Sequence, residues 1–219
     1  MVDLFLKGGP VMYPLLACGI IGLVFIIERL VSYVLAATNP TVLVAAIKDA
    51  YKSGGYEQAL EVCDRSRSPI ARILAVALKK HQQLSASSEG ANPAGDYGRR
   101  RADIRREIED AVSLSGSTEL AFLDRGMLVL AGVSTIAPIL GFLGTVAGMI
   151  RAFDAIAIAG EVEATLVARG ISEALITTAT GLAIAAPVVA FHVYFTSRIN
   201  TYTRNMEVAA NELISDLVE

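Results

Sequence analysis

Charge is scarce in this 219-residue chain. Asp, Glu, Lys and Arg make up 19% of it, against about 25% in an ordinary soluble domain. The balance is apolar: hydrophobic residues reach 53%, with a mean hydropathy of +0.52. Such a chain buries a core easily, which excludes intrinsic disorder as its dominant state. Its 19 basic residues stand against 22 acidic ones, a net charge of −3, and this balance gives no support to a nucleic-acid partner. Cysteine occurs only as Cys18 and Cys63, which rules out a disulfide scaffold and a Cys-based zinc site. Enzyme signatures are missing: there is no G-x-x-x-x-G-K-[ST], no H-E-x-x-H and no cluster of metal-ligand spacing. The glycine-rich stretch from Gly141 to Gly148 lacks the lysine of a phosphate loop. His81 and His192 have no evident partners. No catalytic residue, cofactor or metal is therefore expected.

The apolar excess is concentrated. Three windows carry no Asp, Glu, Lys or Arg: Gly8 to Ile27 (20 residues), Gly126 to Ile150 (25) and Ala174 to Ser197 (24). A helix needs about 20 apolar residues to cross ~30 Å of hydrocarbon, and backbone groups cannot stay unpaired in lipid. Each window therefore reads as a membrane-spanning helix. A cleaved signal peptide fits the first poorly. No clear A-x-A site precedes Glu28 and Arg29, and apolar character resumes from Leu30 to Ala37. The expected organisation is a short outer segment (1–10), a first span (11–36), a cytoplasmic helical loop (39–125), a second span (126–150), an outer connection (151–172), a third span (173–197) and a cytoplasmic C-terminal helix (198–219). Lys and Arg near the span ends set the orientation. Arg29, Lys48, Lys52, Arg105, Arg106, Arg125, Arg198 and Arg204 lie on one side, and Lys7, Arg151 and Arg169 on the other. The N-terminus is then outside and the C-terminus inside.

The polar parts read as helical too. Asn39-Pro40 has the pattern of an N-cap and first helical residue, and Gly54-Gly55 ends that helix. A short helix fits Tyr56 to Arg65, and Ser68-Pro69 opens another through about Leu84. Residues 85–98 read as a flexible link. Alternating charges from Arg101 onward run without a strong breaker into the second window, predicting one helix from about Arg101 to about Phe153. The near-helical spacing of Ile199, Tyr202, Met206, Ala209, Leu213 and Leu217 continues the third span into the cytoplasm. The fold class is thus all-α: an integral membrane protein with three transmembrane helices, two of them extended far into the cytoplasm, plus a cytoplasmic helical region.

Polar residues at membrane depth are the informative ones. Ser134, Thr135, Pro138, Gly141, Gly144, Thr145 and Gly148 interrupt the second window; Glu173, Thr177, Thr178, Thr180, Gly181 and Pro187 belong to the third. Small residues every three or four positions allow close helix approach, and hydroxyls bond across the contact. Thr145 and Thr178 are each 19 residues from the inner ends of their windows, at Gly126 and Ser197, which in antiparallel helices sets them at one depth, about 28 Å in. A carboxylate such as Glu173 costs about 2.5–3.5 kcal/mol at mid-bilayer, so it faces a cavity, finds a partner or takes up a proton. The alternative for Glu173 is a solvated helix start at the outer interface.

Three stretches, GPVMYPLLACGIIGLVFIIERL, APILGFLGTVAGMIRAF and GISEALITTATGLAIAAPVVAFHVYF, together resemble the ExbB/TolQ/MotA proton-channel family, ExbB and TolQ most of all. The resemblance implies a protein of the bacterial inner membrane, N-out and C-in, assembled as a homopentamer. The pentamer would surround the single span of an ExbD- or TolR-like partner that carries an intramembrane aspartate. Proton flow would then power TonB- or TolA-type work at the outer membrane. By motif position, Thr145 in LGTV, Thr178 in ALITTA and Glu173 in ISEAL match the polar residues of the family's ion path, and Pro138 and Pro187 match its prolines. Gly141, Gly144, Gly148 and Gly181 are expected to pack and shape the helices. The residues leave a second possibility open, a helical membrane scaffold that recruits partners without conducting ions. They also leave the ion open, since hydroxyls with backbone carbonyls suit Na⁺ as well as protons.

Overall fold

The computed structural model describes residues 2–36, 40–66, 68–88, 97–160 and 164–218. Its elements are α1 (Val2–Lys7), α2 (Met12–Ala36), α3 (Pro40–Arg65), α4 (Pro69–Ser88), α5 (Tyr97–Asp124), α6 (Met127–Ala159) and α7 (Ala164–Val218), with no strand among the described residues. Three helices, α2, α6 and α7, are long and apolar enough to cross a bilayer. The chain is an all-α integral membrane protein. Two compact units divide it: Met1–Val31 with Arg125–Thr196, and Ser32–Asp124 with Ser197–Glu219.

The first unit holds the apolar lengths of α2, α6 and α7. Its surface is rich in exposed Leu, Ile, Val and Phe, among them Leu128, Ile139, Phe142 and Leu175, as a lipid-facing or subunit-facing surface requires. Inside it, α2 seats Met12 and Leu15 against Ala137 and Ala185. Farther along, Gly19 and Gly22 leave room for Ile184, Val188 and Val133. Pro138 and Pro187 lie within α6 and α7, and both helices run on past them. α7 is a single helix of 55 residues, more than twice what a bilayer needs, as the periodicity of its tail predicts.

The second unit is built on an ordinary aliphatic core. Val44, Ile47, Leu74, Leu78, Ile108, Leu213 and Ile214, each at most 1% exposed, come from α3, α4, α5 and the end of α7. Ser68 opens α4 as an N-cap, its Oγ accepting the Ile70 N–H at 3.3 Å; the expected cap at Asn39 lies outside the described residues. Gly54 and Gly55 break α3 internally, Gly55 at φ 69°, because only a residue without a Cβ takes that conformation freely.

Two expectations need correction. The continuous helix from Arg101 to Phe153 is two helices, with the interruption at Arg125-Gly126. Glycine favours the helix least of the non-proline residues, and the Arg29 side chain occupies the space beside Gly126, where an added Cβ would meet Nε at 2.6 Å. Residues 85–88 and 97–98, expected to belong to a flexible link, are helical: α4 runs to Ser88 and α5 begins at Tyr97, and the rest of that expectation, 89–96, lies outside the described residues. The described residues of the expected outer connection, 151–172, are helical apart from Gly160. α6 continues to Ala159, where Gly160 caps it in the left-handed region and donates its N–H to Ile156 O at 3.1 Å, and α7 is already helical at Ala164.

Candidate ion-path site between the second and third spans

Gly141 and Gly148 of α6 face α7 at backbone distance, and Gly144 faces the Thr177 side chain. A Cβ at Gly141 would lie 3.1 Å from Thr177 O and 3.2 Å from Thr178 Cα. At Gly144 it would fall 2.3 Å from Thr177 Oγ1, and at Gly148 it would lie 3.1 Å from Gly170 O. In return, one at Gly181 would sit 2.6 Å from Ala137 O. These pairs define an antiparallel register in which Gly141 faces Thr178, Gly144 faces Thr177 and Gly148 faces Ala174. Such contact replaces side-chain packing by backbone dispersion and is the usual way for helices to associate in lipid.

The hydroxyls on this hairpin behave differently from one another. Thr177 is buried, and its Oγ1 donates to Ala174 O at 2.8 Å on its own helix. Thr178 donates across the seam to Gly141 O at 3.1 Å. Thr145 donates within α6, to Phe142 O at 2.6 Å, so its hydroxyl takes no part in joining the helices. Thr145 stands one turn beyond Gly141, the residue that Thr178 bonds; the two threonines are therefore within about a turn of the same depth.

Glu173 finds a partner, one of the outcomes left open for it by the sequence. It is the tenth residue of α7, not a frayed helix start, and it pairs with Arg151 of α6. Its side chain is 17% exposed, and Gly9 of the α1–α2 turn (φ +68°) lies directly on its carboxylate. A cation supplied from the opposite helix offsets the cost of holding the carboxylate among apolar spans. Arg151 is the first charge after the second window and Glu173 the last before the third, a placement that the sequence shows without showing that the two pair. In an antiparallel hairpin those two positions meet. Gly170, which receives Ala152, and the Gly19–Gly22 contact of α2 also escaped the sequence reading.

His81, for which no partner was evident, has one: Tyr56 OH lies 2.7 Å from its Nδ1. Burial lowers its pKa below the usual histidine value, opposed by a hydrogen bond to the Leu217 backbone. The described residues hold no group of three or more His, Cys, Asp or Glu side chains able to hold a metal.

This hairpin of two apolar helices is closed by glycines and carries the hydroxyls of Thr145, Thr177 and Thr178 and one paired carboxylate, and residues 65–208 match the family model of the MotA/TolQ/ExbB proton channel family. The chain belongs to that family. It is similar to a putative biopolymer transport protein ExbB homolog of Methanothermobacter thermautotrophicus, 28% identical over 210 residues, covering 95% of this chain and 67% of the relative. To ExbB-like protein 1 of Synechocystis it is 35% identical over 194 residues, 84% of this chain and 66% of the relative. To the Tol-Pal system protein TolQ of Haemophilus influenzae it is 30% identical over 207 residues, covering 91% and 85%. The chain thus spans about two thirds of the length of the first two relatives. Identities to ExbB-type and TolQ-type relatives fall in one range, so similarity does not choose between the two services. The family is one of transport components, not a class of enzymes.

Proposed function

We propose that this chain is the proton-motive-force-driven energiser subunit of a TonB- or Tol-type system in the bacterial inner membrane, N-out and C-in. In this reading it forms a homopentamer around an ExbD- or TolR-like single-span protein with an intramembrane aspartate. Thr145, Thr178 and Glu173 border the path along which protons pass, and a TonB- or TolA-like protein carries the work onward. The observation that carries the reading is the α6–α7 hairpin within a matched family segment: polar groups persist there at a depth where each costs energy. A charge crossing the membrane releases about 2.3 kcal/mol per 100 mV, so sustained work takes many protons.

Thr145→Val is the sharpest test, because the Thr145 hydroxyl bonds only its own helix and the change removes a polar group without opening the seam. Expressed with its partner, that variant assembles normally and loses proton flux and energised transport. Unimpaired flux refutes the path. Thr178→Val is expected to lose flux too, but with weakened assembly, since its bond to Gly141 O is interhelical. A specific observation favours the second reading, a scaffold without conduction: the glycines at 141, 144, 148 and 181 are each accounted for by helix contact alone. That reading predicts silent threonine variants and assembly defects only from bulk at the glycines.

A further inference from the structure

A cavity of about 870 Å³ opens beside the Arg151–Glu173 pair, at the end of the first unit remote from Gly126. Lys7 and Arg169 join Arg151 in its wall, with Glu173 the single acid among the described lining residues and Thr165 and Ser172 adding hydroxyls. Glu173 neutralises Arg151. Lys7 and Arg169 are exposed and make no ion pair with a described residue. Among the described residues the wall therefore carries two positive charges in excess.

The depth of the cavity indicates what it meets. Arg29, 4% exposed, lies against Gly126 and marks one polar boundary of the unit. From Gly126 to Arg151 along α6 is 25 residues, about 37 Å at ~1.5 Å each. Hydrocarbon is about 30 Å thick, so Arg151 and the cavity beside it fall at headgroup level on the opposite face. The rim is apolar where it turns toward the membrane: Leu6, in the wall, is 68% exposed, and Tyr13, on the following turn, is 65% exposed.

We infer that Lys7, Arg169 and the Arg151–Glu173 pair form a binding site for the phosphate of an anionic lipid headgroup, with the acyl chains running along the exposed apolar surface of α2. Two cations at a membrane surface suit a monoanionic phosphodiester better than a zwitterion, whose own ammonium the excess positive charge repels. The hydroxyls of Thr165 and Ser172 supply neutral donors to the remaining phosphate oxygens. The inference depends on the three-span reading and not on conduction.

The test uses the full-length protein in detergent, with lipid adducts counted by native mass spectrometry. Phosphatidylglycerol is expected to bind at one molecule per chain and about tenfold more tightly than phosphatidylcholine of the same acyl chains. Lys7→Gln with Arg169→Gln abolishes that preference, while Lys7→Arg with Arg169→Lys retains it; both variants change exposed side chains, and an unchanged circular dichroism melt verifies their folding. Equal binding of the two lipids, or a preference that survives the Gln variant, overturns the inference. Displacement of the lipid by millimolar inorganic phosphate overturns it in favour of a free ion, and displacement by an Asp- and Glu-rich peptide in favour of a protein partner. Thr145→Val separates this inference from the functional one: it retains lipid selectivity whether or not it loses proton flux.

Discussion

Arg151 and Glu173 show how a single pair reconciles charge with a membrane span. They stand at the end of the apolar lengths of α6 and α7, and each is the other's counter-ion across the hairpin. Removing one leaves the other uncompensated, and that penalty exceeds the modest net worth of the pair itself. Arg151→Gln and Glu173→Gln are each expected to lower the thermal stability of the purified protein. The double variant recovers part of the loss, with a coupling on the order of 1 kcal/mol in a double-mutant cycle, since Arg151 is partly solvated. Strictly additive losses would show that the pair contributes nothing. Thr145 belongs to the same scale: its hydroxyl satisfies itself on Phe142 O, so whatever it does for an ion is not done through packing.

Among elements, the α6–α7 seam decides most. Its glycines differ in what surrounds them, and this makes graded predictions. Gly181→Ala drives a methyl into the Ala137 carbonyl, and Gly144→Ala drives one into the buried Thr177 side chain. Each should cost about 1–3 kcal/mol through overpacking, seen as a lowered melting temperature and reduced assembly. Gly132, on the same helix, has open space where a Cβ would stand. Gly132→Ala should therefore be neutral or stabilising by up to about 1 kcal/mol. Equal effects at the three positions would contradict the seam. The sequence showed that small residues recur here, but not which of them touch. Gly141 and Gly144 were read alike, yet the first meets backbone and the second a threonine side chain. The break at Arg125-Gly126 was missed for the same reason: a glycine in a charged, proline-free run signals little until the arginine beside it is known.

Over the whole molecule, His81 links three elements of the second unit. It lies on α4, shares a hydrogen bond at Nδ1 with Tyr56 OH of α3 and bonds the backbone of Leu217 in α7. Desolvation holds its pKa below the ordinary 6.5, so the unfolded chain binds the proton more readily than the folded one. The sign follows from that difference: the stabilising contribution is complete above about pH 6.5 and is lost as pH falls from there toward the lower folded value. The melting temperature is expected to drop on mild acidification, and His81→Asn should flatten that part of the profile. An identical pH dependence in the variant would exclude His81 as its source.

Composition and pattern alone determined that this is an all-α membrane protein with three helices long and apolar enough to cross a bilayer and a long helical tail. Charge-free runs of twenty or more residues have few other physical outlets, and a 3.6-residue period is a local property of the chain. The motifs further determined the family. What the tertiary structure alone decided is pairing: that Arg151 answers Glu173, that Thr178 and not Thr145 bridges the helices, that Lys7 and Arg169 border one cavity. Each joins residues distant in sequence, at least 22 apart for the ion pair and 37 for the bridging hydroxyl. Such partners are fixed by the register of helix against helix, which backbone contact at the glycines sets and no local pattern encodes.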